Sequence, residues 1–89
     1  METGERVKMM RLSEGLSRPE MRDLTGIPVR TLENWEYGKN KNISVADLQK
    51  ITSHERFEKY ALWLMTGKCL PESGQVSPDI NDMPPGVAG

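Results

Sequence analysis

Residues 16–38 read Leu16-Ser-Arg-Pro-Glu20-Met-Arg-Asp-Leu-Thr25-Gly-Ile-Pro-Val-Arg30-Thr-Leu-Glu-Asn-Trp35-Glu-Tyr-Gly38, and this stretch decides the fold. Ser17 with Glu20 three residues later is a capping box, and Pro19 sits in the first turn, where its missing N–H costs nothing. A helix is predicted from there to Thr25, with Met21 and Leu24 as its apolar face. Gly26 suits the left-handed conformation that ends a helix, Ile27 turns inward, and Pro28 opens another helix through about Tyr37 with Leu32 and Trp35 buried. A joint this short, with glycine in it, holds two helices at a steep angle, the helix-turn-helix unit.

Outward from that corner the same punctuation continues. Apolar residues recur at three- and four-residue steps between glycine stops at Gly15, Gly26, Gly38 and Gly67, and neither strand alternation nor an internal repeat interrupts them. A first helix is expected over about Glu5 to Glu14, with Val7, Arg11 and Leu12 on one side and Leu16 packing back after Gly15. After the polar loop Lys39-Asn-Lys-Asn42, Ser44 and Asp47 form a second capping box for a fourth helix carrying Val45, Leu48 and Ile51. A fifth, about Phe57 to Thr66, is apolar nearly all round. The expectation is an all-α, compact five-helix domain over residues 1–68, with the helix-turn-helix at about 17–37. Residues 69–89 hold four of the six prolines and three of the eight glycines and read as an irregular tail.

Eighty-nine residues with 36% apolar content fit one small domain. A core of that size is only marginally adequate, and a single cysteine forms no internal disulfide, so close helix packing or pairing with a second chain has to supply stability. The start carries acids rather than a signal-peptide pattern, and no apolar run approaches the ~18 residues of a membrane span, so a cytoplasmic protein is expected. Residues 1–68 contain all 12 basic side chains and 10 acidic ones, whereas 69–89 contain only Glu72, Asp79 and Asp82. This mildly basic body is too weakly charged to announce a nucleic-acid partner by bulk electrostatics, so position has to carry that argument.

The residues quoted above resemble the helix-turn-helix of the Xre/Cro/CI type of phage and bacterial repressors. The flanks agree: Arg6-Val-Lys and Arg11-Leu12 upstream, Glu36 to Gly38 as the family's Glu-x-Gly, and Trp63-Leu-Met-Thr-Gly67 as its closing signature. The likeness covers about residues 4–67 and implies a lambda-repressor-like DNA-binding domain, nucleoid-associated and without enzymatic activity or cofactor. It implies further that the helix beginning near Pro28 enters the major groove of a double-stranded operator while the preceding helix crosses the backbone.

On that reading Arg30 forks onto guanine O6 and N7, Asn34 pairs with adenine, Glu33 accepts from cytosine N4 and Val29 touches a thymine methyl. Glu33 has alternatives, rejecting wrong sites or holding Arg30 across one helical turn, and Val29 has the alternative of filling space. Phosphate anchoring falls to Ser17 and Arg18 with their helix N-terminus, and to Lys39, Asn40, Lys41 and Asn42; the bland reading of the loop lysines is solubilising charge. The resemblance also implies a partly buried ion pair between Arg11 and Glu36, which makes Arg11 an orienting clamp rather than a DNA ligand. Two residues depart from the family pattern: Arg22 where a small residue is usual, and Arg18 where glutamine is common.

His54 and Cys69 have no companions at metal-ligand or redox spacing, so no metal is expected. The all-round apolar last helix reads either as a dimer interface, through Tyr60, Trp63, Leu64 and Met65, or as tight monomer core. The leading expectation is a homodimeric phage or prophage repressor, or Cro-like protein, on an inverted repeat, too short for the protease-like domain of larger repressors. Activation through contact with RNA polymerase stays open. The rivals are the antitoxin of a toxin–antitoxin pair and a protein-interaction module that keeps the shape without reading DNA.

Overall fold

A computed structural model describes residues 2–78. Five α-helices follow in order: α1 (Thr3–Ser13), α2 (Arg18–Thr25), α3 (Val29–Glu36), α4 (Val45–Thr52) and α5 (Ala61–Thr66), with 3-10 turns at Glu58–Tyr60 and Pro71–Ser73. The domain is all-helical, and the described residues form no strand beyond an isolated bridge between Leu70 and Gln75. None of the described helices is long and apolar enough to cross a membrane.

Local chemistry sets the helix ends. Ser17 Oγ accepts from the Glu20 N–H at 3.2 Å, and the Glu20 carboxylate accepts from the Ser17 N–H at 3.0 Å, so the capping box is complete. Gly26 closes α2 at φ 79°, a conformation any β-carbon would strain. At α4 only half of the expected box forms: Ser44 Oγ accepts from the Asp47 N–H, but the Asp47 carboxylate lies 3.4 Å from Lys50 Nζ instead. Asp is one methylene shorter than the Glu that a reciprocal box uses. The predicted fifth helix is shorter too, its first turn being the 3-10 segment Glu58–Tyr60.

The core gathers Val7, Met9, Met10, Leu16, Met21, Ile27, Leu32, Trp35, Ile51, Phe57, Tyr60, Trp63 and Leu64. Two residues expected on buried faces are instead exposed: Leu24 at 36% and Val45 at 65%. On α2 the inward stripe runs through Met21 and Thr25, one full turn apart, which leaves Leu24 at its edge. Thr25 is tolerated inside because its hydroxyl donates to the Met21 carbonyl at 2.8 Å and accepts from the Ile27 N–H at 3.2 Å. Leu12 is only half-buried; Met9 and Met10 take its place on α1.

Helix α1 lies against both α3 and α5, and α2 against α3. Arg6 Nη1 donates to the Leu64 carbonyl at 3.1 Å, tying α1 to α5. Glu14, just past α1, accepts from Arg56 Nε at 2.9 Å and from the Tyr60 hydroxyl at 2.7 Å. Of the expected irregular tail, the described residues 69–78 are tied to the domain. Gln75 Oε1 accepts from the Leu62 N–H at 2.9 Å, Gln75 Nε2 donates to the Glu58 carbonyl, and the Val76 N–H donates to the Lys59 carbonyl at 2.8 Å. Val76 packs on the core. The remainder of the expected tail, 79–89, lies outside the described residues.

Candidate nucleic-acid interface

Between α2 and α3 run only Gly26, Ile27 and Pro28, and Ile27 plugs the corner into the core. Helix α3 turns Leu32, Trp35 and Glu36 inward. Arg30 is exposed and Glu33 and Asn34 half-exposed, at the three- and four-residue spacing that makes one outward stripe; Val29 is half-buried at the helix start. Among the described residues no ion pair joins Glu33 to Arg30, so the side-chain brace offered as one role for Glu33 does not form here.

The chain leaves α3 by folding back on it. Gly38 takes φ 75°, and the Asn34 carbonyl accepts from the N–H groups of Lys39 at 2.9 Å and Asn40 at 3.1 Å. The loop is therefore held against the end of α3 while Lys39, Lys41 and Asn42 stay exposed. Asn40 spends its side-chain carbonyl on the Asn42 N–H at 3.0 Å, a turn that shapes the loop.

Beneath the stripe sits a buried charge cluster. Arg11 meets Glu36 through two parallel bonds, Nε to Oε2 at 3.0 Å and Nη2 to Oε1 at 2.9 Å, and its Nη1 donates to the Leu16 carbonyl at 2.8 Å. The Glu36 side chain is 0% exposed and that of Arg11 8%, so Arg11 is a clamp joining α1 to α3 and not a group an outside ligand can reach.

Arg18 stands differently from its sequence reading as a free phosphate ligand. Its Nε donates to Glu36 Oε1 at 3.2 Å and its Nη2 to the Tyr37 hydroxyl at 3.2 Å, with the guanidinium 5.1 Å from the Tyr37 ring centroid. Burial works against the charge on Arg18, but Glu36 and the Tyr37 hydroxyl outweigh it and hold the guanidinium protonated. Ser17 is exposed, with its oxygen engaged in the helix cap. Arg22 points into solvent beside Asp23 at 3.2 Å, which is how a large residue fits where a small one is usual.

Of the four residues offered as a dimer surface, Tyr60, Trp63 and Leu64 belong to this chain's own core, and only Met65 is exposed, at 59%. Three of the four turn inward because α5 is six residues long and is covered by α1 on one side and the Gln75–Val76 strap on another. His54 Nδ1 accepts from the Arg56 N–H and its ring leans on Phe57; among the described residues no three His, Cys, Asp or Glu side chains gather as a metal site. The sequence reading missed Tyr37 and the Glu14–Arg56 pair. Tyr37 signals itself only as an exposed aromatic beside Glu36, while the partners of Glu14 lie more than forty residues away.

No protein-family model matches the chain. Over 76 residues, 85% of this chain and 76% of the relative, it is 40% identical to the protein described as "Repressor protein C" of Escherichia phage P2. At that identity and coverage, the chain belongs to the phage repressor family that includes the P2 repressor protein C.

Proposed function

We propose that this chain is a sequence-specific, double-stranded-DNA-binding transcriptional repressor of the Xre/Cro/CI helix-turn-helix type, acting as a homodimer on an inverted-repeat operator. The observation that carries the reading is the outward stripe of Arg30, Glu33 and Asn34 on a helix whose opposite face is fixed by Trp35 and the buried Arg11–Glu36 pair. A reading helix gains specificity when its side chains are presented without freedom to tilt, because a bidentate contact depends on angle as well as distance.

In this mechanism α3 enters the major groove by its N-terminal half. Arg30 takes guanine, Asn34 adenine and Glu33 the cytosine amino group, with Val29 against a thymine methyl. Lys39 and Lys41, on a loop pinned to the end of α3, meet phosphates and set the register, with Ser17 and the α2 N-terminus doing the same on the other side. Two chains about a two-fold axis present their α3 helices roughly 34 Å apart, one turn of the duplex. Occupancy of such a site excludes RNA polymerase from an overlapping promoter.

The test is a salt-dependent binding measurement on duplexes selected by the chain from a randomised pool. Affinity should fall steeply with added salt, and Arg30→Ala should weaken the selected duplex by about 1–3 kcal/mol while sparing unrelated duplex. A chain that selects no sequence, or an Arg30→Ala variant with unchanged preference, contradicts the proposal.

A further inference from the structure

Tyr37 directly follows α3 and is 59% exposed, yet its phenol is held in place. Arg18 Nη2 donates to its hydroxyl oxygen at 3.2 Å while the same guanidinium lies 5.1 Å from the ring centroid. Arg18 is in turn anchored by its Nε on Glu36 Oε1, an oxygen that already accepts from Arg11 Nη2. Arg11 alone satisfies the carboxylate through two bonds, so the second arginine leaves one positive charge uncompensated at the Tyr37 end of α3.

The hydroxyl is thus an acceptor toward a cation with its own proton unspent, since among the described residues the Tyr37 hydroxyl donates no hydrogen bond. A phenol polarised in this way is a strengthened donor, and its fitting acceptor is an anionic oxygen. Position agrees. Arg30 and Tyr37 are seven residues apart, about 10 Å along a helix, against a major groove about 12 Å wide. With Arg30 at base edges, the end of α3 reaches the groove wall, where phosphates lie, and Lys39 and Lys41 follow at once.

We infer that the Tyr37 hydroxyl donates to a backbone phosphate of the bound duplex, and that Arg18 is a positioning residue that holds and polarises the phenol. The inference rests on the DNA-binding reading above and gives this contact to a residue outside the expected set. Arg18 acts through Tyr37 rather than on the phosphate directly.

The experiment uses the full chain and a duplex it has selected from a randomised pool. Tyr37→Phe should weaken binding about 5- to 10-fold, on selected and unrelated duplexes alike, with an unchanged thermal midpoint. Arg18→Gln should weaken binding to a similar degree, but less than twofold further when Tyr37 is already Phe. Arg18→Lys, which keeps a cation over the ring, should recover most of the loss. Duplexes with single methylphosphonate substitutions should reveal one phosphate whose neutralisation costs the unaltered chain affinity and costs Tyr37→Phe nothing. Full affinity in Tyr37→Phe overturns the inference, as does an Arg18→Gln loss that is equal in both backgrounds, which would place Arg18 on the phosphate itself. If the unaltered chain binds no duplex, the DNA-binding reading fails and this inference with it. If the chain binds and Arg30→Ala lowers its preference while Tyr37→Phe changes nothing, the inference alone fails.

Discussion

Gly4 lies directly on the backbone of Trp35: a β-carbon at position 4 would come within 2.7 Å of the Trp35 carbonyl carbon and closer still to its oxygen. The obstacle is helix backbone, which cannot swing aside as a side-chain end can. Gly4→Ala therefore has to lift α1 off α3, the helix that carries the outward stripe, and should cost about 1–3 kcal/mol. For a domain of this size each kcal/mol lowers Tm by roughly 4–8 °C. A thermal scan of Gly4→Ala at the unaltered midpoint would show that α1 is not seated as described.

The Arg11–Glu36 pair makes a second prediction. Replacing Glu36 with Ala strands the buried Arg11 guanidinium and releases Arg18 as well, and loss of one partner from a buried pair costs about 3–5 kcal/mol. Replacing both members of the pair, Arg11→Met with Glu36→Leu, removes the stranded charge and should recover most of that loss. Urea midpoints for the two variants check this, and a double variant no more stable than Glu36→Ala would contradict it.

Stability should fall at both ends of the pH scale through the contact between Glu14 and Tyr60. Burial raises the Glu14 pKa, but hydrogen bonds from Arg56 and Tyr60 and the charges of Lys59 and Arg56 outweigh it and leave it below the usual 4.5. A carboxyl depressed by folding stabilises above its unfolded pKa, and that stability is lost as pH falls through the folded value. Tyr60 shifts the other way, from 10.0 up to about 12, through burial first and then its bond to the Glu14 carboxylate and that group's charge. Its contribution is complete below pH 10 and disappears as pH rises toward about 12. Denaturation midpoints across pH should show a shallower acid limb for Glu14→Gln and a shallower alkaline limb for Tyr60→Phe. Limbs identical to those of the unaltered chain would refute the assignment.

These cases show what was legible in the sequence. Gly15, Gly26, Gly38 and Gly67 read as helix stops because each lies between periodic segments, and each adopts positive φ. Ser17 and Glu20 read as a cap because both partners of each bond lie within four residues. The stripe of Arg30, Glu33 and Asn34 was legible as the positions left over once Leu32 and Trp35 go inward. Gly4 carried no signal, since a glycine early in a helical pattern says nothing of which helix crosses it. Leu24 misled because the inward stripe of α2 runs through Met21 and Thr25 and leaves it at the edge, and Val45 because it stands at the first position of α4, ahead of the buried Leu48 and Ile51. Arg18 could be placed at a helix start from local sequence, but its partner Tyr37 is 19 residues away and only the tertiary fold brings them together.

The last helix separates core from candidate interface by mutation. Leu64 is fully buried within the chain, so Leu64→Ala should cost about 2–5 kcal/mol in unfolding through the cavity it opens. Met65, its neighbour, is 59% exposed and makes little contribution to the chain's own core. An exposed thioether on a short apolar helix is the residue of the four still able to bury against a second copy in the proposed dimer. Met65→Lys should leave the unfolding midpoint of the monomer nearly unchanged and shift sedimentation equilibrium toward monomer, because a lysine brought into an apolar contact has to leave its ammonium solvated or pay for its desolvation. A Met65→Lys chain that associates as tightly as the unaltered one would remove α5 from the dimer surface and leave the exposed residues of other helices to form it.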